Sequence, residues 1–203
     1  MKTIQSAIAL SLIAIFGICF ASSFMLVSCS KTDDNSGAKT VFPEENFLQS
    51  FLTITNFNQQ ISNQSVTSYQ NFGITFKPQV NGTINSIVLK LPQSDGNVII
   101  RIWKVSTQAL LKTFPVVAAA NNIEVTTTID KIPLLKDEEY IITMKVKSWF
   151  YRKRTNSSNV SYPVLVNNIN IINVVNFNID TFPSASLNNY YAGDISFNFQ
   201  QTE

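Results

Sequence analysis

From Val66 onward the apolar residues fall on alternate positions, and this period of two limits the chain more than any other feature. A strand sends successive side chains to opposite faces, so an alternating stretch covers one side of a sheet and makes a poor helix. Phe72, Ile74 and Phe76 alternate with Gly73, Thr75 and Lys77. Ile87, Leu89 and Leu91 oppose Ser86, Val88 and Lys90, and Val98, Ile100 and Ile102 oppose Ile99, Arg101 and Trp103. Pro78 ends the first of these strands. Asn81-Gly82 and Asp95-Gly96 are tight-turn signals, because these residues tolerate positive φ. The three strands are therefore expected to form an antiparallel meander.

Further strands are expected over 109–116, 123–129, 140–151, 160–166, 169–179 and 190–199. In the 140–151 stretch, Ile142, Met144, Val146 and Phe150 take one side. Ile141, Thr143, Lys145, Lys147, Trp149 and Tyr151 take the other. The final strand is expected to bury Tyr191, Ile195, Phe197 and Phe199. Short strands at regular spacing argue for an all-β fold, an antiparallel β-sandwich or jelly-roll-like domain. Asparagine is dense from Asn156 to Asn198, which suits turns and polar outer faces. Residues 42–58 read either way: Phe47, Leu48, Phe51 and Leu52 have helical spacing, while 51–55 would also serve as a strand.

The beginning of the chain obeys different rules. An apolar run from Ala7 to Val27 follows Lys2, the only charge before it, and ends at Cys29. A basic start, an apolar stretch and small residues near a cleavage point describe a secretory signal. The run is also long enough for an uncleaved transmembrane helix. Against that, no Lys or Arg pair stops it, and a cysteine with a small residue before it closes it. Leu26-Val27-Ser28-Cys29 resembles the lipobox of bacterial lipoproteins, whereas Cys19 follows Ile18 inside the apolar run. The resemblance implies cleavage before Cys29, diacylglycerol on its thiol and acylation of the new amine. Each buried methylene contributes about 0.8 kcal/mol, and several chains on one cysteine anchor permanently.

The expected organisation is a signal peptide over 1–28, a lipidated cysteine and flexible tether over 29–49, and a β-sandwich domain over 50–203. Ser30-Lys31-Thr32-Asp33-Asp34 resembles the acidic, lysine-containing tether of lipoproteins sent to the outer face of an outer membrane. A plain solvated linker fits the same residues.

A second resemblance spans about Val66 to Phe199. It rests on Phe72-Gly73-Ile74-Thr75-Phe76, Asn81-Gly82-Thr83-Ile84, Val98-Ile99-Ile100-Arg101-Ile102-Trp103, Leu110-Leu111, Glu139-Tyr140 and Tyr191-Ala192-Gly193. These segments are similar to a family of bacterial extracellular β-sandwich modules without assigned function. The resemblance implies a surface or secreted setting, sometimes beside glycan-active domains. Its motifs are core and turn residues, so they speak to fold.

Composition excludes several chemistries. The chain has no histidine, which removes Ser-His-Asp and Cys-His catalysis and every His-containing zinc site. One cysteine remains after the leader, so no structural disulfide is expected. The formal charge is +2, and loss of Lys2 lowers it by one unit, too little for a nucleic-acid binder. A carboxylate pair or a Ser-Lys pair is the enzymatic option left, and no spacing brings Asp130 and Asp194 together. Asp137-Glu138-Glu139 lacks the alternating spacing of a calcium loop, and an acidic turn is the plainer reading.

The candidate ligand site is an aromatic and basic cluster. By alternation Arg101, Trp103, Lys147, Trp149 and Tyr151 face outward, with Lys145 beside them and Arg152-Lys153-Arg154 continuing the charge as a polar loop. An exposed Trp or Tyr offers a flat face to a sugar ring, and Arg or Lys would pair with an acidic sugar or a phosphate. Packing of these rings against a neighbouring loop is the competing reading. On the outward reading, Trp149→Ala leaves the fold nearly intact and abolishes ligand retention.

The function expected is a lipid-anchored, non-catalytic binding or adhesion module at the outer-membrane surface, with glycans as the favoured ligand. The alternative is an accessory lipoprotein subunit holding a protein partner. No catalytic residue, metal ligand or cofactor is expected beyond the lipid on Cys29, and a structural calcium between strands stays open. The expected partners are the membrane and a glycan or protein ligand, not nucleic acid.

Overall fold

The computed structural model describes residues 40–62, 68–177 and 180–203. The predicted leader and Cys29 lie outside them. In chain order the elements are β1 (Glu44–Asn46), α1 (Leu48–Thr55), β2 (Gln59–Ser62), β3 (Gln70–Pro78), β4 (Gly82–Lys90), β5 (Asp95–Lys104) and β6 (Ala109–Ala118). They continue with β7 (Glu124–Leu134), β8 (Tyr140–Val146), β9 (Phe150–Lys153), β10 (Val164–Val166), β11 (Ile169–Phe177), β12 (Ser186–Leu187), β13 (Tyr190–Ala192) and β14 (Ile195–Gln201).

All pairings are antiparallel, and they make three sheets. The largest runs β10-β11-β3-β8-β5-β6, with β12 on β11; a second runs β1-β14-β4-β7; a small third runs β13-β9-β2. Apolar residues from all three share one core, so the fold is the all-β sandwich expected. Phe76 of the large sheet meets Phe197 of the second with ring centroids 4.7 Å apart. Tyr191, Ile195, Phe197 and Phe199 are fully buried, as the alternation predicts.

The expected meander is not formed. β4 lies in the second sheet, while β3 and β5 flank β8 in the large one. The β3–β4 connection is therefore a crossover between layers. Gly82 keeps an ordinary φ and is required for space: a Cβ there would stand 2.2 Å from the Phe199 ring. Gly96 has nothing within reach and sits at the irregular start of the β5–β6 ladder.

Other boundaries also differ from those the sequence predicts. The folded region begins before residue 50, because β1 pairs with β14 and Phe47 is buried in the core. The ambiguous stretch is helical. Phe51, Leu52 and Thr55 are buried while Ile54 is exposed, a pattern a strand cannot produce. Asn56 ends the helix in the left-handed conformation, φ 56°. The long strand 140–151 breaks at residues 147–149, where the chain leaves β8 and enters β9 of another sheet. At that break the alternation is interrupted, and the neighbours Trp149 and Phe150 are both buried. Arg152 and Lys153 consequently belong to or end a strand, not a polar loop.

Candidate aromatic cleft

The outward cluster is divided by the fold. Register places Arg101 opposite Thr143, and Thr143 opposite Gly73, on the face of the large sheet away from Phe72 and Ile100. Arg101 lies 3.2 Å from Asp180 and donates to Asn71 at 3.3 Å. Lys145 donates to Asp180 at 2.6 Å. That hydrogen bond, with the nearby Arg101 charge, holds the Asp180 carboxyl below the ordinary aspartate range.

Trp103 is on the same face, yet it is only 7 % exposed. It packs with Ile141 and Val175 in a small second core and meets Phe182 edge-on at 6.0 Å. The packing alternative therefore describes Trp103, and its outward platform is withdrawn. Its Nε1 is buried without a hydrogen-bond partner among the described residues.

Lys147 follows β8 at the break, with its Nζ 4.7 Å from the Tyr69 ring centre, a cation–π contact. Trp149 is 8 % exposed and belongs to the main core, its ring 4.5 Å from that of Phe72. The expected outward orientation of Trp149 fails because the break at 147–149 turns it toward the interior side. Tyr151 is half-buried and meets Tyr190 edge-on at 6.0 Å.

Trp149 and Tyr151 are nevertheless brought together. With Phe72, Tyr190, Gln70 and Asn176 they line a cleft of about 340 Å³ between the large sheet and the small one. Asn176 stands opposite Phe72 on the β11–β3 ladder, so both look to the same side. Its Nδ2 donates to the Tyr190 hydroxyl at 3.3 Å, while its Oδ1 is buried without a partner among the described residues. Flat aromatic faces beside amides are the groups that recognise a ring bearing hydroxyls. No sequence pattern marks Tyr190, Gln70, Phe72 or Asn176 as ligand residues. The tyrosine pair at 190–191 was the one usable signal, since alternation sends only one of the two, Tyr191, into the deep core.

A larger cleft of about 460 Å³ lies against α1 and the second sheet, bordered by Asn46, Gln49, Lys90, Glu124, Arg152 and Asp194. Three of its polar side chains, Asn46, Arg152 and Asp194, are held by hydrogen bonds. Asn46 Nδ2 donates to Ser196, Phe197 and Asn198, and Arg152 grips Asp194. Burial works to lower the Arg152 pKa, but the Asp194 hydrogen bond and charge raise it above the ordinary arginine value. Arg154 donates to the Thr55 and Asn159 carbonyls.

The acidic turn is also committed. Glu138 lies 3.1 Å from Lys104, and Glu139 lies 3.4 Å from Lys77. Hydrogen bonds from Ser106 and then Lys104 lower the Glu138 pKa. Among the described residues no three His, Cys, Asp or Glu side chains gather as a metal site would need, and no helix is long and apolar enough to cross a membrane. Comparison with protein-family models and with curated proteins gives no match for this chain.

Proposed function

We propose that the chain is a lipid-anchored, non-catalytic binding module for glycans, held at the outer-membrane surface through Cys29. The observation that carries the glycan reading is the cleft that Tyr151, Tyr190 and Trp149 line together with Gln70 and Asn176. Aromatic rings stack on the apolar face of a sugar, and amides serve its hydroxyls as both donor and acceptor. The anchor rests on the Leu26–Cys29 motif and its apolar leader alone.

The test is a glycan array probed with the full chain in mild detergent, wild type beside Tyr151→Ala. A defined glycan, retained by the wild type and lost by a variant that stays folded at the assay temperature, supports the reading. A blank array from folded protein overturns it. Cys29→Ser tests the anchor separately: it leaves unprocessed chain without acyl label.

A protein partner is the second reading, favoured by one observation. β6 and β7 are the terminal strands of their sheets, and β6 carries exposed Leu110 and Leu111. Long edge strands accept an extended segment from another chain. A partner subunit that co-purifies with the wild type and is released by Leu110→Lys would favour this reading.

A further inference from the structure

We infer that the aromatic cleft selects an uncharged sugar unit, and that the basic residues around it take no part in recognition. The inference rests on the glycan reading of the same cleft and narrows it. None of the six lining side chains carries a charge: Gln70, Phe72, Trp149, Tyr151, Asn176 and Tyr190. A carboxylate, sulfate or phosphate entering it would lose water without meeting a cation in the wall.

No cation lines the cleft, and those nearby lie outside its wall. Lys145 and Arg101 share Asp180 on the opposite face of the large sheet. Lys147 lies over Tyr69. Lys153 pairs with Tyr190 in the β9–β13 ladder and so looks to the same side of the small sheet, but it is not among the residues that line the cleft. What the wall offers is neutral hydrogen bonding. The Tyr151 and Tyr190 hydroxyls and the Gln70 amide can each donate and accept. Asn176, also in the wall, has a side-chain oxygen without a partner among the described residues. The cleft, about 340 Å³, lies at the small end of ligand sites, which suits a terminal sugar unit and not a long chain segment.

The experiment is titration of the full chain with two sets of oligosaccharides that share a backbone. One set ends in a neutral hexose and the other in a uronate or sulfated sugar. Wild type, Asn176→Ala, Lys147→Ala and Lys153→Ala are compared, each checked for an unchanged melting temperature. The expected result is binding of the neutral set alone, weakened about tenfold or more by Asn176→Ala and less than about twofold by either lysine change. Binding of the acidic set with loss on Lys147→Ala or Lys153→Ala overturns the neutral selection while leaving a glycan site in place. Binding of neither set by folded protein overturns the glycan reading, and the inference with it.

Discussion

Arg152 holds Asp194 through two parallel hydrogen bonds, Nε to Oδ1 at 2.6 Å and Nη2 to Oδ2, which tie β9 to the corner that opens β14. Asp194 is 1 % exposed and takes a left-handed φ of 41°, directly after Gly193 at 108°. The Tyr191 hydroxyl donates to the Ile195 carbonyl across the same corner. The ion pair therefore fixes a strained turn between two sheets. Removing one partner leaves the other charge buried and alone. Asp194→Ala is expected to cost about 3–5 kcal/mol, read from the urea midpoint. The double change Arg152→Met with Asp194→Leu removes both charges and should cost less than Asp194→Ala. A double variant less stable than the single one would show that the isolated charge is not the source of the loss.

Trp149→Ala behaves differently from the expectation based on alternation. The ring is part of the core against Phe72, so its removal opens a cavity. A loss of about 3–5 kcal/mol is expected, with a matching fall in melting temperature. Tyr151 is half-buried, and Tyr151→Ala should cost clearly less. A Trp149→Ala protein as stable as wild type would place the indole in solvent and contradict its packing. Loss of ligand in this variant says nothing about the site, whereas loss in Tyr151→Ala does.

These two aromatics mark where sequence alternation stops being readable. Within one unbroken strand it is reliable: Phe72, Ile74 and Phe76, or Val98, Ile100 and Ile102, are buried as their period demands. It fails at Trp149 because the bend at 147–149 carries the chain from one sheet to another, where Trp149 and Phe150 are both buried. It also fails for Trp103, because alternation names the face of a sheet but not what lies over that face. Sheet membership was equally hidden. Asn81-Gly82 reads as a hairpin, yet the glycine serves the close approach of Phe199 at a crossover. The cleft itself joins Phe72, Trp149, Asn176 and Tyr190 from separate elements, and no local pattern brings these together. The helix was half-legible, since Phe47 and Phe51 carry its spacing and β-branched residues at 53–55 argue against it.

Gly73 is a strict spatial requirement. A Cβ there would lie 1.9 Å from the Ile142 carbonyl oxygen and 2.8 Å from the Thr143 Cα. Both are backbone atoms of the neighbouring strand β8, so no side chain can rotate away. Gly73→Ala must push β3 and β8 apart at the centre of the large sheet. The expected cost is at least about 1–3 kcal/mol. Gly96→Ala, with open space around its position, should change stability little and serves as the control. Equal melting temperatures for the two variants would mean that the β3–β8 spacing is looser than described.

The acid limb of stability should carry the Asp180 cluster. The Lys145 hydrogen bond and the Arg101 charge lower the folded pKa of Asp180 from the ordinary 3.8. A carboxylate with a depressed folded pKa contributes stability that is present above its unfolded value and lost as pH falls through the folded one. Wild type is therefore expected to weaken below about pH 4, and Asp180→Asn to lack that part of the slope. Asp180 is half exposed, so the difference should shrink in high salt. Glu45 works in the opposite sense. Burial raises its folded pKa despite the hydrogen bond from the Asn168 amide, so stability falls as pH rises from 4.5 toward that raised value. Glu45→Gln keeps an acceptor for Asn168 and removes the charge, and it should equal or exceed wild type in stability at neutral pH. Chemical denaturation of the three proteins across pH separates the two carboxylates. An Asp180→Asn curve parallel to wild type at every pH would show that the Lys145–Asp180 contact does not favour the charged form.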